Sequence, residues 1–392
     1  MKRFHYFCGI AALCLTALAP STSIGATKVK VAFVATLSGP QALLGKHMQD
    51  GFLLGVEELK NTFGGLPAEI STNDDQFKPD VARQIAERVT KRDEVDVVTG
   101  AVFSNIVLAM NNTLADAKTM FVNSSGGASQ LGGKSCSPFF ISTAWQTDQV
   151  NAAVGQQVQA AGLKKVVIII SNYTAGQDAA NGFKRTFKGQ VLREMNPPLT
   201  QNDFSAELTQ IATLKPDAVF VFIAGSPGVS FVKQYASSGL KQNIPLYSTF
   251  TAYGPNLPAI GDAALGARSV GHWTADLDNP ANKRFVAAFQ KKYGYTPSNI
   301  SAQSYDAAML IDAAVRKVGG KVEDRDAFAR AFAQVQYDSV RGPYRYGKNN
   351  FPVQNFYQTE VVRNEDGSLV EANRGLLIKD DVDVFAAECP MK

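Results

Sequence analysis

Short apolar runs alternate with amphipathic stretches along almost the whole chain. Residues 29–35 (VKVAFVA) are rich in β-branched and aromatic side chains, the composition of a strand covered on both faces. Ser38, Gly39 and Pro40 stop that strand, and Met48, Phe52, Leu53, Val56 and Leu59 then recur at helical spacing on one face. The same grammar repeats. Strands are predicted over 68–73, 95–100, 120–123 and 139–143. Helices are predicted over 79–91 and from the exit at 100–105 through Leu114. The pattern restarts with a helix over 145–161. Strands over 165–170, 189–194, 218–223 and 245–249 then alternate with helices over 176–187, 204–214 and 231–238. Gly271, His272 and Trp273 close this second stretch, and helices over 280–293, 301–318 and 325–335 follow. From Gly342 the alternation is that of antiparallel strands. Two successive runs of strand–helix units predict an α/β fold class with two parallel sheets, each in its own lobe. No low-complexity linker separates them, which favours interleaved lobes joined by short crossings.

The amino terminus changes the compartment. Lys2 and Arg3 precede an apolar run from about residue 4 to 19, and small residues lead to Gly25 and Ala26, the layout of a secretory signal peptide over 1–26. Cleavage is expected after Ala26, with Ala19 as the fallback, and Leu13 before Cys14 is a poor lipidation context. The remaining ~366 residues exceed what one core usually supports. Without Lys2 and Arg3, 37 basic residues face 35 acidic ones. No basic block is present, so nucleic-acid binding is not expected. Two cysteines remain, Cys136 and Cys389. In an oxidising compartment one disulfide is the economical outcome, and two separate buried thiols are the alternative.

No catalytic constellation is visible. His47 and His272 lack the spacing of a zinc site and read as surface or packing residues, so no metal and no cofactor are expected. Gly-x-Ser-x-Gly is absent. Two near-matches to a phosphate loop, from Gly39 to Lys46 and from Gly127 to Ser135, fail on glycine spacing. The chain offers instead a set of short polar strand exits. Ser104, Ser124 and Ser125, with N–H groups around Gly126 and Gly127, could hold a carboxylate without lysine or arginine. Serine there is equally a helix N-cap.

Leu37-Ser38-Gly39-Pro40, Tyr173 to Gln177, the helix over 285–293, Tyr295-Thr296-Pro297, Ser304 to Ala307 and Arg341-Gly342-Pro343 occur in an order that resembles the periplasmic leucine/isoleucine/valine-binding receptors of ABC transporters. The resemblance covers essentially the whole mature chain. It implies two Rossmann-like lobes closing on a small ligand, with three hinge crossings near 142–144, 271–273 and 338–342. Residues 27–142 plus 274–338 would form lobe 1, and 143–273 plus 339–392 lobe 2. By position, Phe103, Ser104, Ser124, Ser125 and Gly126 would hold the ligand carboxylate end. Tyr173 would cover the ligand, and Ser226, Phe250, Thr251 and Tyr253 would complete the pocket, with Gln41, Trp145 and Trp273 at its edge or at the hinge.

One departure is informative. Amino-acid receptors of this kind set an acidic side chain of the second lobe against the ligand ammonium, yet 249–253 reads TFTAY. A buried ammonium without a counter-charge is costly. Aromatic residues crowd the exits, and 140–149 (FISTAWQTDQ) is similar to the benzoate- and cinnamate-binding branch. The expected ligand is therefore a small aromatic carboxylate, with a branched-chain or other hydrophobic amino acid as the alternative. Asp306 is conceivable as a counter-charge but reads as structural. The expected molecule is a periplasmic, monomeric, non-enzymatic receptor that serves a membrane permease; an exported enzyme and a sensor subunit are the rival readings.

Overall fold

The computed structural model describes residues 1, 4 and 26–391. The signal peptide expected over 1–26 falls almost wholly outside them, as do Cys8 and Cys14. The chain opens with β1 (Val29–Ala35), a 3-10 turn (Gly39–Gln41) and α1 (Ala42–Glu58). Next come β2 (Thr62–Phe63), β3 (Leu66–Asp74), α2 (Pro79–Lys91), β4 (Val97–Gly100) and α3 (Ser104–Asp116). β5 (Met120–Asn123), the one-turn α4 (Ser129–Gly132) and β6 (Phe140–Ser142) finish the first sheet. Its order is β2-β3-β1-β4-β5-β6, parallel except where β2 turns back on β3.

The second sheet begins after a crossing at 143–146. Its elements are α5 (Thr147–Ala160), β7 (Lys165–Ile170), α6 (Thr174–Thr186), β8 (Gln190–Met195), α7 (Ser205–Leu214) and β9 (Ala218–Phe222). α8 (Gly225–Ser237), β10 (Leu246–Ser248), α9 (Leu257–Ile260) and β11 (Arg268–Gly271) follow. A second crossing at 272–279 returns the chain to α10 (Pro280–Tyr293), α11 (Asn299–Lys317) and α12 (Arg325–Phe332). α11 lies along α1 so closely that a Cβ on Gly51 would overlap the Ser301 backbone. A third crossing at 333–344 leads into antiparallel β12 (Arg345–Tyr346), β13 (Pro352–Arg363) and β14 (Leu369–Asp381). The second sheet runs β12-β13-β11-β10-β9-β7-β8, with β14 on β13. The molecule is thus two α/β lobes joined by three crossings.

Local chemistry accounts for these elements. β1 buries every residue but Lys30, as a strand covered by helices on both faces must. α2 starts on Pro79, carries Asp80 in its first turn and Arg88 and Lys91 in its last, and buries Ala82, Ile85, Ala86 and Val89 as one stripe. α10 is capped by Asn279, whose side chain accepts the Asn282 N–H, and stops at Gly294 with φ 77°.

Four expectations need correction. The helix expected from residue 145 begins at Thr147, because the Gln146 side chain caps it and the Thr147 N–H is donated to Gly127. The helix expected from 231 begins at Gly225, since Pro227 falls in a first turn that needs no intrahelical N–H. Leu53 is 36% exposed, and the buried stripe of α1 is Leu44, Met48, Phe52 and Val56. β2 and β11 were too short to register as apolar runs.

Two devices hold the crossings. Asp306 of α11 accepts hydrogen bonds from Ser339 Oγ (2.6 Å), the Val340 N–H (3.2 Å) and Arg341 Nε (3.2 Å), so the third crossing is tied to the helix beside it. Arg341 also donates Nη1 to Gln354 (2.8 Å) and stacks 4.0 Å over Tyr344, while its Nη2 has no hydrogen-bond partner among the described residues. Asp306 is therefore structural. The other device is the disulfide between Cys136 and Cys389, Cα atoms 5.7 Å apart, which fastens the carboxyl terminus beside α4. Cys389→Ser removes a cross-link over 253 residues, and the expected loss is about 2–4 kcal/mol. Thermal melts with and without reductant check it: the wild type should lose several degrees on reduction, and the variant nothing further.

Candidate functional site

Strand order reverses between β1 and β4 in the first sheet and between β7 and β9 in the second. At such a reversal the adjoining crossovers go to opposite faces and leave a crevice at the carboxyl ends of the strands. The two crevices meet. The Gln41 side chain, at the exit of β1, lies against Gly225 at the start of α8; a Cβ on Gly225 (φ 65°) would overlap it. Ser129 of α4 reaches the other way, its N–H (2.9 Å) and Oγ (2.6 Å) both donating to the Asp178 carboxylate on α6. Gly254 of the second lobe also lies against Ser298 of the first, so the lobes are closed on each other at three or more points.

Between those points lie polar atoms with no partner among the described residues. Ser124 Oγ and Ser125 Oγ, at the exit of β5, are fully buried and unbonded. Gln41 Oε1, Ser171 Oγ and Tyr253 OH are buried without partners as well. A buried hydroxyl left unpaired costs about 1–3 kcal/mol. Four such hydroxyls and one amide oxygen, drawn from both lobes, call for polar partners that the described residues do not supply. The Ser104 and Asn105 amides, in the first turn of α3, have no intrahelical acceptor and add donors on the same side.

Rings form the opposing wall. Trp145, in the first crossing, meets Phe250 edge-on at 4.8 Å and His272 at 5.1 Å. Phe250 leans on Tyr253 (5.1 Å) and Phe222 (5.9 Å), and Tyr173 stacks on Phe222 at 6.4 Å. The Trp145 carbonyl touches Gly127, two residues past Ser125, so the serine exit and the ring wall abut. Phe250 holds φ 57° and Ala101, at the β4 exit, φ 64°. Residues other than glycine rarely adopt that region, so both strand ends carry local backbone strain.

The expected site residues are not all placed alike. Phe103 is buried against Phe77 (4.4 Å) at the N-cap of α3, beside buried Ser104. Gly126 offers no free amide, because its N–H is donated to Ala101 and its carbonyl is held by Asn123 Nδ2 (3.0 Å). Ser226 is exposed on the first turn of α8. Thr251 Oγ1 accepts the Ile223 N–H (2.8 Å) and braces β9. Trp273 packs on Phe285, donates Nε1 to Asn282 (2.7 Å) and faces away from the ring wall. His47 and His272 are both buried, and burial lowers the pKa of each, His47 to about 4. Neither is a surface residue. The sequence reading missed Ser129, Ser171 and Asp178. Nothing in their spacing separates them from surface positions; only the pairing of α4 with α6 does.

Trp273 lines a second recess, a groove of about 860 Å³ on the flank of the lobe interface. Lys46, His47, Tyr295 and Ser298 face it from one side, Pro255, Arg363 and Glu371 from the other. Glu371 on β14 accepts the Gly254 N–H (3.0 Å), and burial pushes its carboxyl up to about 7.

A family model described as a periplasmic binding protein matches residues 28–368. The Leu/Ile/Val-binding protein homolog 6 of Brucella suis biovar 1 is 30% identical over 370 residues, covering 92% of this chain and 94% of that one. An ABC-transporter solute-binding protein from R. palustris, solved with benzoate, superposes with a TM-score of 0.87 at 31% identity, over 93% of this chain and 99% of the other. Another from Rhodopseudomonas palustris BisB5, solved with 3,4-dihydroxybenzoic acid, gives 0.86 at 29% identity, over 92% and 99%.

Asp178→Asn keeps the shape of the lobe contact but removes the charge that accepts two Ser129 donors. The closed form should lose about 1.5–3 kcal/mol, read as a solute affinity at least tenfold weaker with an unchanged melting temperature for the empty protein. Glu371 gives a pH test. Between its ordinary value near 4.5 and the folded value of about 7, the folded state keeps a proton that the unfolded chain has lost. Stability therefore falls as pH rises through that window. Glu371→Gln lacks this slope, so its melting temperature relative to wild type should climb from pH 5 to pH 8; parallel curves would refute the buried carboxyl.

Proposed function

Since the chain belongs to the periplasmic binding protein family, we propose that it captures a small aromatic carboxylate and delivers it to the membrane permease of an ABC importer. The observation that carries this reading is the pair of buried, partnerless hydroxyls at Ser124 and Ser125 abutting the Trp145–Phe250–Tyr253 ring wall. Solute-binding proteins 31% and 29% identical to this chain, solved with benzoate and 3,4-dihydroxybenzoic acid, support it.

The carboxylate sits on Ser124 Oγ and Ser125 Oγ, assisted by the first-turn amides of α3. These are neutral donors, so the ligand brings the only full charge and no buried cation must be desolvated before it arrives. The ring lies against Trp145 and Phe250, with Tyr173 closing over it and Tyr253 OH and Gln41 Oε1 within the same enclosure. Burying a benzene-sized surface contributes about 3 kcal/mol at 25 cal/mol per Å², and the charge-assisted hydrogen bonds add about 1.5–3 kcal/mol each. Residues 27–142 plus 274–338 move as one body and 143–273 plus 339–392 as the other, about the three crossings. The Ser129–Asp178 and Gln41–Gly225 contacts form on closure. The protein acts as a carrier rather than an enzyme, in the periplasm after loss of its signal peptide, as a monomer that binds no nucleic acid.

An aliphatic amino acid is the weaker reading. It needs a carboxylate against its ammonium; Asp178 is engaged by Ser129 and Asp306 by Arg341, while the unpaired Glu371 lines the flanking groove. Thermal shift on refolded, ligand-stripped protein separates the two. A ligand at a hundredfold excess over its Kd adds about 2.7 kcal/mol, so benzoate or a hydroxybenzoate should raise the melting temperature clearly while leucine, isoleucine and valine should not. Ser125→Ala should weaken the aromatic acid roughly tenfold or more. A shift with the amino acids alone would sink the proposal.

A further inference from the structure

The flanking groove lies outside the ring-walled site, and both lobes build it. Tyr295 and Ser298 face it from the first lobe, Pro255 and Glu371 from the second, and Trp273 and Thr274 from the crossing between them. At about 860 Å³ it has the size of an ordinary small-molecule cleft.

Its polar groups are unevenly satisfied. Lys46 is paired with Asp50 (2.7 Å) and Arg363 with Asp262, so the two cations on the rim are neutralised. His47 meets Ser298 Oγ at 3.2 Å. Glu371 has no basic side chain within salt-bridge distance among the described residues, and the Gly254 N–H is the donor it receives. Thr274 Oγ1 is 2% exposed and has no hydrogen-bond partner among the described residues. The groove therefore combines an apolar floor with an idle hydroxyl and two carboxyls that no cation pairs, Glu371 with a single donor and Asp366 held by the N–H and hydroxyl of Ser368.

We propose that this groove is a second ligand site, for an organic cation whose ammonium pairs with Glu371 while its apolar body lies on Trp273 and Pro255. The ring-walled site suits such a molecule less, because none of its free groups is a carboxylate that could neutralise the ammonium. Lobe opening would separate Tyr295 and Ser298 from Pro255 and Glu371, so the cation site is complete only in the closed form. An occupied groove then holds the lobes shut, and by linkage each ligand tightens the other.

Benzylamine is the probe, titrated calorimetrically into wild type and Glu371→Gln, with and without saturating benzoate. The amide oxygen introduced by Glu371→Gln still accepts the Gly254 N–H, so the fold is kept. Wild type should bind the amine, more tightly with benzoate present, and the variant at least tenfold more weakly. The charged and titratable groups facing Glu371 across the groove are Lys46, His47, Asp262, Tyr295, Arg363 and Asp366, with Tyr253 behind it; His47 stays neutral above about pH 4, and the Tyr295 hydroxyl is donated to Asp50 (2.5 Å). Amine affinity should therefore rise from pH 5.5 to pH 8 as Glu371 gives up its proton, a readout on the wild type that does not depend on the variant. Absence of amine binding, equal binding by Glu371→Gln, a flat pH profile, or competition between benzylamine and benzoate would each overturn the proposal. Failure of benzoate to bind, with amine binding intact, would leave the groove site standing and refute only the aromatic-acid reading.

Discussion

Ser124, Ser125, Ser171, Gln41 and Tyr253 lie buried between or beside the closed lobes with atoms that have no partner among the described residues. Everything else about the site follows from that debt. Each unpaired group costs the empty closed form about 1–3 kcal/mol, which a solute that supplies the missing partners removes. Selectivity then lies in the pattern of donors. Neutral hydroxyls beside helix amides can turn their donors to one negative charge, and none of the free groups carries the full charge needed to neutralise a positive one. The ring wall favours a flat apolar body.

The fold was largely legible in the chain because its cause is local. Strands such as 165–170 and 218–222 are apolar on both faces, and helices such as α2 display a stripe and both termini. The elements that escaped were short or late: β2, β11 and α4 bury too few residues to leave a period. The site was legible as a set of strand exits and not as a set of contacts. Which hydroxyl stays free depends on hydrogen bonds between distant segments, as when Thr251 turns to the Ile223 amide or Gly126 to Ala101. Ser226 faces solvent because α8 begins before it, at Gly225, and that start could not be placed from a sequence in which Pro227 reads as a breaker.

The hinge is built from more rigid material than its role suggests. Asp306, Ser339, Arg341 and Gln354 form a buried hydrogen-bonded network, and Tyr344 is stacked beneath the guanidinium. Breaking such a pair would leave a charge stranded in the interior. Rotation must therefore be taken up in the backbone on either side of it, which fixes where the third crossing bends. His272 lies near the same guanidinium, and burial together with that positive charge keeps it neutral. The second crossing thus adds no second cation to the hinge.

The disulfide has a topological meaning beyond its contribution to stability. Residues 136 and 389 bracket all three crossings, so the bond turns the connected lobes into a covalent ring. A protease that severs one crossing opens the ring without releasing a fragment: the two lobes stay chained together through the remaining strands and the sulfur bridge. For a molecule that must part and rejoin its halves at every cycle, exposing its joints each time, that closed loop makes a single cut survivable.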